Sequence, residues 1–294
     1  IADDQSTDST NQIISDWTAL KINRTLVSIL PEQSALYQNN GKANALAILS
    51  KQAIGDFFFF TDADCQVPQS WIKEGISCFG KKTGLVIGIT QVKGSGFLAK
   101  MQGLDWWNTL GIVKAVTDLG LPTTGLGNNM IISREAYFAS GGFEQIPFSM
   151  TEDLEISKAI RAAGFKIGHQ VSERILVKTK SEQGWFLLMT QRKRWMAGAM
   201  KLSFSWKALL SLQFLVFPSL LGLIALNWKI GVGLWSLKIL FQGLFLSSFA
   251  KKSGQKIGFV ALFVFDFYLL WNLSLTILYY FWPGQIDWKA RKYP

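Results

Sequence analysis

Two aspartates one residue apart, directly after four phenylalanines, are the first residues in this sequence that predict chemistry. The segment reads Asp56-Phe57-Phe58-Phe59-Phe60-Thr61-Asp62-Ala63-Asp64. Four consecutive phenylalanines cannot alternate between core and water, so they predict a strand that is buried on both faces, as in a parallel sheet. In open α/β sheets, ligands bind beyond the carboxyl ends of the strands. Carboxylate oxygens at that edge suit Mg²⁺ or Mn²⁺, and the phosphates of a substrate would complete the coordination.

A lysine and an acidic turn are the next candidates for a site. Lys42 lies in the first turn of a helix that begins at Gly41, where a cation opposes the helix dipole unless an anion lies nearby. Glu152 and Asp153 follow Thr151 at the start of another helix, whose positive end favours acidic side chains. Each feature also has an ordinary explanation, because an exposed lysine, a helix cap and a solvated turn need no catalysis.

A third candidate is a mixed polar and aromatic group near residue 190. Gln191, Arg194 and Trp195 are three or four residues apart, so they share one face of a helix that leads towards an apolar region. A Gln-x-x-Arg-Trp match is far rarer by chance than a pair of aspartates, so it is the more specific indication of function.

The composition narrows the class of protein. Hydrophobic residues make up 49% and charged residues 17% of the 294 residues, and the apolar excess lies after about residue 205. The net charge is +10, and the basic residues flank apolar segments. Because the sequence contains no nucleic-acid motif, this charge favours an anionic membrane surface as the partner. Cys65 and Cys78 provide no disulfide framework and fit a reduced cytosolic setting. The single His169 excludes a histidine metal cluster, and we assign it no role.

Predicted strands and helices alternate along the first two thirds of the chain, which indicates an α/β domain. The expected strands are 25–30, 57–60, 85–92 and 128–132. The expected helices are 8–18, 41–55, 96–118 and 151–164. In the second of these helices, positions 46, 49, 53 and 54 are expected to form the buried face.

Three apolar segments, at 208–226, 230–249 and 257–282, predict a membrane region. At ~1.5 Å per residue the first two reach roughly 28–30 Å, close to the ~30 Å of a hydrocarbon core. Residues 186–206 are rich in tryptophan and basic residues, so they predict an interfacial amphipathic helix that seats the preceding domain on the bilayer.

Charges at the segment ends bear on the orientation in the membrane. The lysines at 251, 252 and 256 fit a cytoplasmic loop if the α/β domain is cytoplasmic. After three spans, the basic residues at 289, 291 and 292 would fall on the opposite side, against the positive-inside rule. Either the first segment, interrupted by Pro218, is re-entrant, or the charges of the tail are tolerated there.

Lys238 and Asp266 are each the lone charge within an apolar segment. A charge near the bilayer centre costs several kcal/mol unless it is paired or hydrated. Segments joined by a short loop are antiparallel neighbours, which brings the two charges to similar depths. We therefore expect them to pair, and the alternative is that Asp266 faces a polar path while Lys238 extends to an interface.

Taken in order, these motifs resemble membrane-bound family 2 glycosyltransferases with the GT-A fold. The matching motifs are Asp3-Asp4-Gln5-Ser6-Thr7-Asp8, Gly41-Lys42-Ala43-Asn44-Ala45, Asp62-Ala63-Asp64, Gly141-Gly142-Phe143, Thr151-Glu152-Asp153 and Gln191-x-x-Arg194-Trp195. The closing Asp287-Trp288-Lys289-Ala290-Arg291 is similar to the Trp-Lys-Gly-Arg tail of lipid-modifying members, with Ala290 in place of the usual glycine.

The resemblance implies a doubly wound mixed α/β sheet followed by a helical membrane region. The expected division is a catalytic domain at 1–185, the interfacial helix at 186–206, and a membrane region with about three helices and a basic tail at 207–294. Because the chain begins inside the first motif, we expect a fragment that lacks the first strand and helix of the fold.

The resemblance also assigns roles to individual residues. Asp3 and Asp4 would bind the nucleotide, with Asp4 on the nucleobase. Lys42 and Asp62 would bind the donor, and Asp62 with Asp64 would hold Mg²⁺ or Mn²⁺ on its diphosphate. The assignments of Asp62 and Asp64 place the donor beyond the strand that ends at Phe60.

The remaining implied roles concern the acceptor and the diphosphate. Asp153 would be the general base, and Glu152 its supporting neighbour. Gln191, Arg194 and Trp195 would close over the diphosphate and line the acceptor entrance, since a guanidinium fork suits phosphate.

The function expected from this resemblance is an inverting, metal-dependent transfer of one sugar from a nucleotide-diphospho-sugar. The acceptor would be a lipid or lipid-linked molecule at the cytoplasmic face of a multi-pass protein of the cytoplasmic membrane, without nucleic acid as a partner. The first alternative is a processive polysaccharide synthase, which needs a channel walled by more helices than three. The second is a non-catalytic membrane scaffold with a degenerate transferase domain.

Overall fold

The computed structural model describes residues 1–34, 36–37, 40–288 and 291–293. Strands and helices alternate up to about residue 180, a part called the α/β region below. Its strands are β1 (Ala2–Asp3), β2 (Val27–Ser28), β3 (Phe57–Phe60), β4 (Thr83–Ile87), β5 (Ile89–Lys93), β6 (Met130–Ser133), β7 (Lys166–His169) and β8 (Leu176–Lys180). Its helices are α1 (Thr10–Ala19), α2 (Gly41–Gln52), α3 (Trp71–Ser77), α4 (Gly96–Asp118), α5 (Arg134–Ala139), α6 (Gly142–Gln145) and α7 (Glu152–Ala162).

The central sheet has four strands in the order β3-β6-β4-β7 and mixed directions. Strand β6 is antiparallel to both β3 and β4, whereas β7 is parallel to β4. Two further pairs, β1 with β2 and β5 with β8, are parallel. The predicted mixed α/β architecture is therefore confirmed.

The phenylalanine run forms β3 and is covered on both faces, as predicted. Phe58 and Phe60 are buried in one core cluster with Tyr137 and Phe143, while Phe57 and Phe59 pack against a second cluster on the other face. The expectation of parallel pairing is wrong among the described residues, because the hydrogen-bonded neighbour of β3 is the antiparallel strand β6.

Two local predictions are wrong in detail. The strand expected at 85–92 is divided at Gly88, which leaves β4 and β5 in different sheets. An added Cβ at Gly88 would lie 2.3 Å from the Asn129 amide, so a distant side chain fills the space at the break. The expected face of α2 is also wrong, since Ala43, Ala47 and Ile48 are buried whereas Ile54 is 93% exposed.

Four helices follow the α/β region. They are α8 (Trp185–Ala199), α9 (Phe204–Leu226), α10 (Trp228–Lys252) and α11 (Phe259–Phe281). The predicted single helix at 186–206 is wrong in extent, because the chain turns after Ala199 and the backbone is extended at Ser203 before α9 begins. The last three helices are long and apolar enough to cross a membrane.

The apolar helices contain two features that the sequence raised. Helix α9 continues through Pro218 without interruption. The Lys238 ammonium pairs with the Asp266 carboxylate, which is fully buried and also accepts a 2.5 Å hydrogen bond from Trp235 Nε1. The predicted pairing of Lys238 with Asp266 is therefore confirmed, and the carboxylate has a second donor.

The chain ends in an antiparallel hairpin of β9 (Ile286–Trp288) and β10 (Arg291–Tyr293). Within the tail motif that resembles lipid-modifying enzymes, Lys289 and Ala290 lie outside the described residues. Strand β9 lies against α8, so the hairpin returns to the helix that follows the α/β region.

Candidate active site

Lys42 lies at the centre of a cluster of carboxylates. Its Nζ is 2.6 Å from Asp62 Oδ1 and 3.1 Å from Glu152 Oε1. An added Cβ at Gly127 would lie 2.9 Å from Lys42 Nζ and 3.6 Å from Asp153 Oδ2, so Asp153 borders the same small space. Three predicted carboxylates, from two distant parts of the sequence, therefore gather around the ammonium group of Lys42.

Three elements bring these side chains together. Asp62 follows the carboxyl end of β3, and Glu152 and Asp153 begin α7. Asn40 precedes α2, and its side-chain oxygen accepts a 2.9 Å hydrogen bond from the backbone N–H of Ala43. The Asn40 amide also donates to Ser149 O at 2.6 Å and to Glu152 Oε2 at 3.4 Å, so one residue fixes both helix starts.

Asp153 is held by backbone N–H groups. Its Oδ2 accepts a 3.0 Å hydrogen bond from Gly127, and its Oδ1 accepts one of 2.9 Å from Leu154. Burial and, to a smaller extent, the neighbouring charge of Glu152 raise the pKa of its carboxyl to about 6, against the opposing effects of Gly127 and Lys42. A carboxyl with this pKa is matched to proton transfer near neutral pH.

Lys42 remains a cation despite its enclosure. Burial lowers its pKa, but the carboxylates of Glu152 and Asp62 outweigh that effect and raise the pKa above its ordinary value. The carboxylates also offset the unfavourable interaction of Lys42 with the positive end of the helix dipole.

Asp62, Asp64 and Cys65 form the described group that could hold a metal ion, with their ligand atoms within 4.8 Å of one another. Asp64 is exposed, so phosphate oxygens can approach beside it. Burial raises the pKa of the Cys65 thiol and the two carboxylates raise it further, which keeps the sulfur protonated. Two hard oxygen donors at an open edge fit Mg²⁺ or Mn²⁺, with Asp62 and Asp64 as the protein ligands.

The first aspartate of the chain has a structural explanation. Asp3 is buried and accepts hydrogen bonds from Ser6 Oγ at 2.5 Å and Asn11 Nδ2 at 2.9 Å, which lower its pKa. It thereby fixes the turn between β1 and α1, where Gln5 has a positive φ of 63°. Asp4 lies beside it, partly exposed, on the same turn.

Gln191, Arg194 and Trp195 all lie on α8, as predicted. Gln191 Nε2 donates to Glu182 Oε1 at 2.8 Å, and the Trp195 ring packs edge-on against Trp106 with centroids 5.3 Å apart. Near the end of α8, an added Cβ at Gly198 would lie 2.3 Å from Thr151 Oγ1. The helix of this motif thus contacts the residue that precedes the acidic turn.

Two predictions at the acidic turn and at His169 have different outcomes. Thr151 precedes α7, but its side chain makes no capping hydrogen bond, and Asp153 bonds the first-turn N–H of Leu154 instead. His169 is buried in β7, and burial lowers its pKa to about 4, which keeps it neutral at physiological pH. His169 was assigned no role from the sequence, and its side chain is a neutral, buried imidazole.

Residues that the sequence patterns did not identify complete the site. Asn40 and Gly127 contact the cluster directly. The sequence features that could have indicated them are the asparagine directly before the helix at Gly41 and the two glycines at 125 and 127. Arg192, inside the Gln-x-x-Arg-Trp motif, bonds Asp105 at 2.5 Å, and its guanidinium lies 4.5 Å from the Trp195 ring centroid.

Comparisons with known proteins agree on one chemical class. A model of glycosyl transferase family 21 matches residues 2–294. Poly-beta-1,6-N-acetyl-D-glucosamine synthase of Staphylococcus aureus is 26% identical over 201 residues, which cover 67% of this chain and 46% of that protein. The chain thus spans less than half the length of this curated relative.

A solved structure has the same fold. A mannosyltransferase from Pyrobaculum calidifontis, in complex with GDP-Man and Mn²⁺, superposes with a TM-score of 0.56 at 16% identity, covering 92% of this chain and 77% of that one. At this identity the likeness concerns the fold alone, which is the mixed α/β fold of GT-A-type glycosyltransferases.

Proposed function

Because the chain belongs to glycosyl transferase family 21, we propose that it moves one sugar from a nucleotide-diphospho-sugar to a lipid or lipid-linked acceptor, with inversion at the anomeric carbon. The observation that carries this proposal is the cluster of Lys42, Asp62, Glu152 and Asp153 on a domain joined to apolar helices. Its cation and carboxylates match the needs of a single displacement, in which one base deprotonates the acceptor hydroxyl while the diphosphate leaves.

In this mechanism Asp153 is the general base. Its carboxylate takes the proton of the acceptor hydroxyl, whose oxygen forms the new bond to the anomeric carbon as the bond to the nucleoside diphosphate breaks. Glu152 raises the pKa of this base and holds the Lys42 ammonium. Lys42 stabilises the negative charge that develops on the leaving diphosphate.

The nucleotide and the acceptor are assigned to neighbouring elements. Asp4, on the turn after β1, is proposed to contact the nucleobase, while Asp3 supports that turn. Gln191, Arg194 and Trp195 are proposed to cover the diphosphate and line the acceptor path, which the contact between Gly198 and Thr151 supports.

A divalent cation on Asp62 and Asp64 would neutralise diphosphate charge as a Lewis acid. Asp64→Ala is therefore expected to weaken nucleotide-sugar binding in the presence of Mg²⁺ or Mn²⁺ by at least about ten-fold, since lost metal contacts cost that much or more. Isothermal titration with and without a chelator measures this. Asp56→Ala, at the other end of β3, is the matched control and should bind normally. If neither the chelator nor Asp64→Ala changed the affinity for the nucleotide sugar, the metal site would be excluded.

The pH dependence of transfer tests the role of Glu152. Asp153 must be ionised to accept a proton, so kcat/KM should fall as the pH drops through about 6. Glu152→Gln removes a negative charge that raises this pKa, and the acid limb should therefore move to lower pH. Glu155→Gln, in the same first turn but paired with Lys158 at 3.0 Å, should leave the limb in place. An unmoved limb in Glu152→Gln would contradict the coupling.

A lipid acceptor is supported by the way that the two parts of the chain share a core. Trp107 and Val177 of the α/β region belong to the same buried cluster as Phe249 of α10 and Phe265 of α11. A catalytic domain that shares its core with apolar helices suits an acceptor that stays in the bilayer. The proposed location is the cytoplasmic face of the cytoplasmic membrane, with a multi-pass anchor.

Similarity to a polysaccharide synthase favours one alternative, processive synthesis. The experiment that separates the two supplies labelled nucleotide sugars to vesicles containing the protein and extracts the products into organic solvent. A lipid that carries one sugar supports the proposal, and a polymer retained in the aqueous phase supports processive synthesis. Lipid profiles of cells with and without the gene identify the acceptor. No transfer from any donor would favour a scaffold role.

A further inference from the structure

Helix α11 is attached to the α/β region at its amino-terminal end. In the loop before it, Gln255 Oε1 accepts a 3.1 Å hydrogen bond from Gln91 Nε2 of β5. An added Cβ at Gly254 would lie 2.6 Å from Glu173 Oε2, so the loop also touches the segment before β8. The start of α11 therefore lies against the α/β region.

The carboxyl-terminal end of α11 is attached as well, through α8. Lys193 Nζ donates to the backbone oxygens of Trp282 at 2.9 Å and Gly284 at 3.0 Å, and it lies 5.6 Å from the Tyr279 ring. A lysine ammonium is favourable at this negative end of the helix dipole. Since α8 is itself held by Glu182 and Asp105, both ends of α11 are tied to one side of the molecule.

The middle of α11 follows the same surface. Asn272 Nδ2 donates to Asp105 Oδ2 of α4 at 3.1 Å, and Tyr268 packs on Trp185 of α8 with ring centroids 6.0 Å apart. Ala261 and Phe265, nearer the start, belong to the core cluster of the α/β region. Contacts thus continue along the whole helix.

These contacts conflict with a transmembrane course for α11. Its 23 residues measure ~34 Å, so a span would place its two ends on opposite sides of a ~30 Å hydrocarbon layer. The segment 191–194 of α8, which is Gln-Arg-Lys-Arg, would then lie inside the membrane or beyond it, and charged side chains there are expensive.

We propose that α11 lies in the membrane interface on the side of the α/β region, and that α9 and α10 form the membrane-crossing pair. Its partner is the lipid surface, which its outer face contacts. That face carries exposed apolar side chains at helical spacing. They are Phe259, Phe263, Phe267, Trp271 and Leu278. Because the inner face of α11 packs on protein, only this outer face would enter the lipid, to the ~5–10 Å depth of an interfacial helix.

The charge distribution is complementary to such a surface. Lys251, Lys252 and Lys256 are exposed beside the start of α11, where anionic headgroups would attract them. With two spans, the basic tail after α11 falls on the same side as these lysines, and the conflict with the positive-inside rule disappears. Lys229, in the first turn of α10, lies at the opposite end of the crossing pair.

The ion pair between α10 and α11 is compatible with this course. Lys238 lies within the crossing helix α10, and a lysine side chain at that depth extends towards the interface. Asp266 belongs to the inner, buried face of α11 and meets it there. The pair thereby ties the interfacial helix to the crossing pair.

Cysteine labelling in sealed vesicles of known orientation tests the proposal independently of which sugar is transferred. Four exposed positions carry the label. Lys73→Cys marks the α/β region, and Lys229→Cys marks the start of α10. Lys256→Cys marks the loop before α11, and Gln285→Cys marks the segment after it. A membrane-impermeant maleimide is added to either orientation. Peptide mass spectrometry assigns the label to each residue, so Cys65 and Cys78 do not interfere.

The expected result is that positions 73, 256 and 285 react from one side and position 229 from the other. Reaction of position 285 from the side of position 229 would show that α11 crosses the membrane and would overturn the proposal. Protection of position 285 from both sides, with full labelling in detergent, would also overturn it, since an interfacial α11 leaves this residue in water.

Discussion

Replacing Asp153 with asparagine is expected to reduce sugar transfer by about 10²–10⁴-fold, the usual loss when a general base is removed. The amide cannot accept the proton of the acceptor hydroxyl. Donor binding should stay close to that of the unchanged protein, because the metal ligands and Lys42 are retained. Initial rates of transfer and titration of the nucleotide sugar together measure the two quantities.

The control for this substitution is Glu155→Gln, which removes a carboxylate from the same turn of α7. Glu155 pairs with Lys158 at 3.0 Å, whereas Lys42 pairs with Asp62 and Glu152, so transfer should remain near normal. The alternative explanation of the acidic turn is a helix cap, and asparagine also serves well at a helix start. Near-normal turnover in Asp153→Asn would therefore identify the turn as a cap.

Local rules placed only Asp62 at the ligand-binding edge of the sheet, because it follows a buried strand. Lys42 and Glu152 also had ordinary explanations at helix starts, and the family resemblance implied that they share the site. Lys42 in particular required a nearby anion to offset the helix dipole, and two carboxylates supply it. Their mutual distances were not predictable, because they depend on the packing of segments about 110 residues apart.

The local errors have a common physical cause. The division at Gly88 depends on the Asn129 side chain, which comes from the segment just before β6. The buried face of α2 is made of small residues such as Ala43 and Ala47, against which β3 and α6 pack. A hydropathy pattern favours large residues and does not identify a close approach of this kind.

The buried polar group formed by α4, α8 and α11 was also not predictable from sequence patterns. Asp105, Arg192 and Asn272 belong to three helices and are separated by as many as 167 residues. In sequence each is an unremarkable polar residue on a helix. Their proximity follows from the tertiary packing of α4, α8 and α11, and it places a buried ion pair behind the Gln-x-x-Arg-Trp motif.

Arg192→Met is expected to destabilise the protein by about 3–5 kcal/mol, because it leaves the buried Asp105 carboxylate without its cation. Asn272 would remain as a neutral donor and cannot replace the charge. At roughly 2–4 °C per kcal/mol this lowers Tm by about 6–20 °C. Thermal unfolding of the purified protein in detergent gives the measurement.

A matched control lies on the same helix as Asp105. Lys114 and Asp118 form an ion pair one turn apart on the exposed side of α4, and exposed pairs of this spacing contribute only about 0.3–0.5 kcal/mol. Lys114→Met should therefore change Tm little, although it too removes the cation that pairs with an aspartate of α4.

The double change Asp105→Leu with Arg192→Met separates pairing from packing. Replacing both members of a buried ion pair with apolar residues of similar size is often close to neutral, whereas removing one is costly. We expect the double variant to recover most of the lost Tm, and transfer to recover less, because the guanidinium also lies over the Trp195 ring. If the double variant instead lost the sum of the two single losses, the two residues would contribute independently, and the pair would not hold α8 against α4.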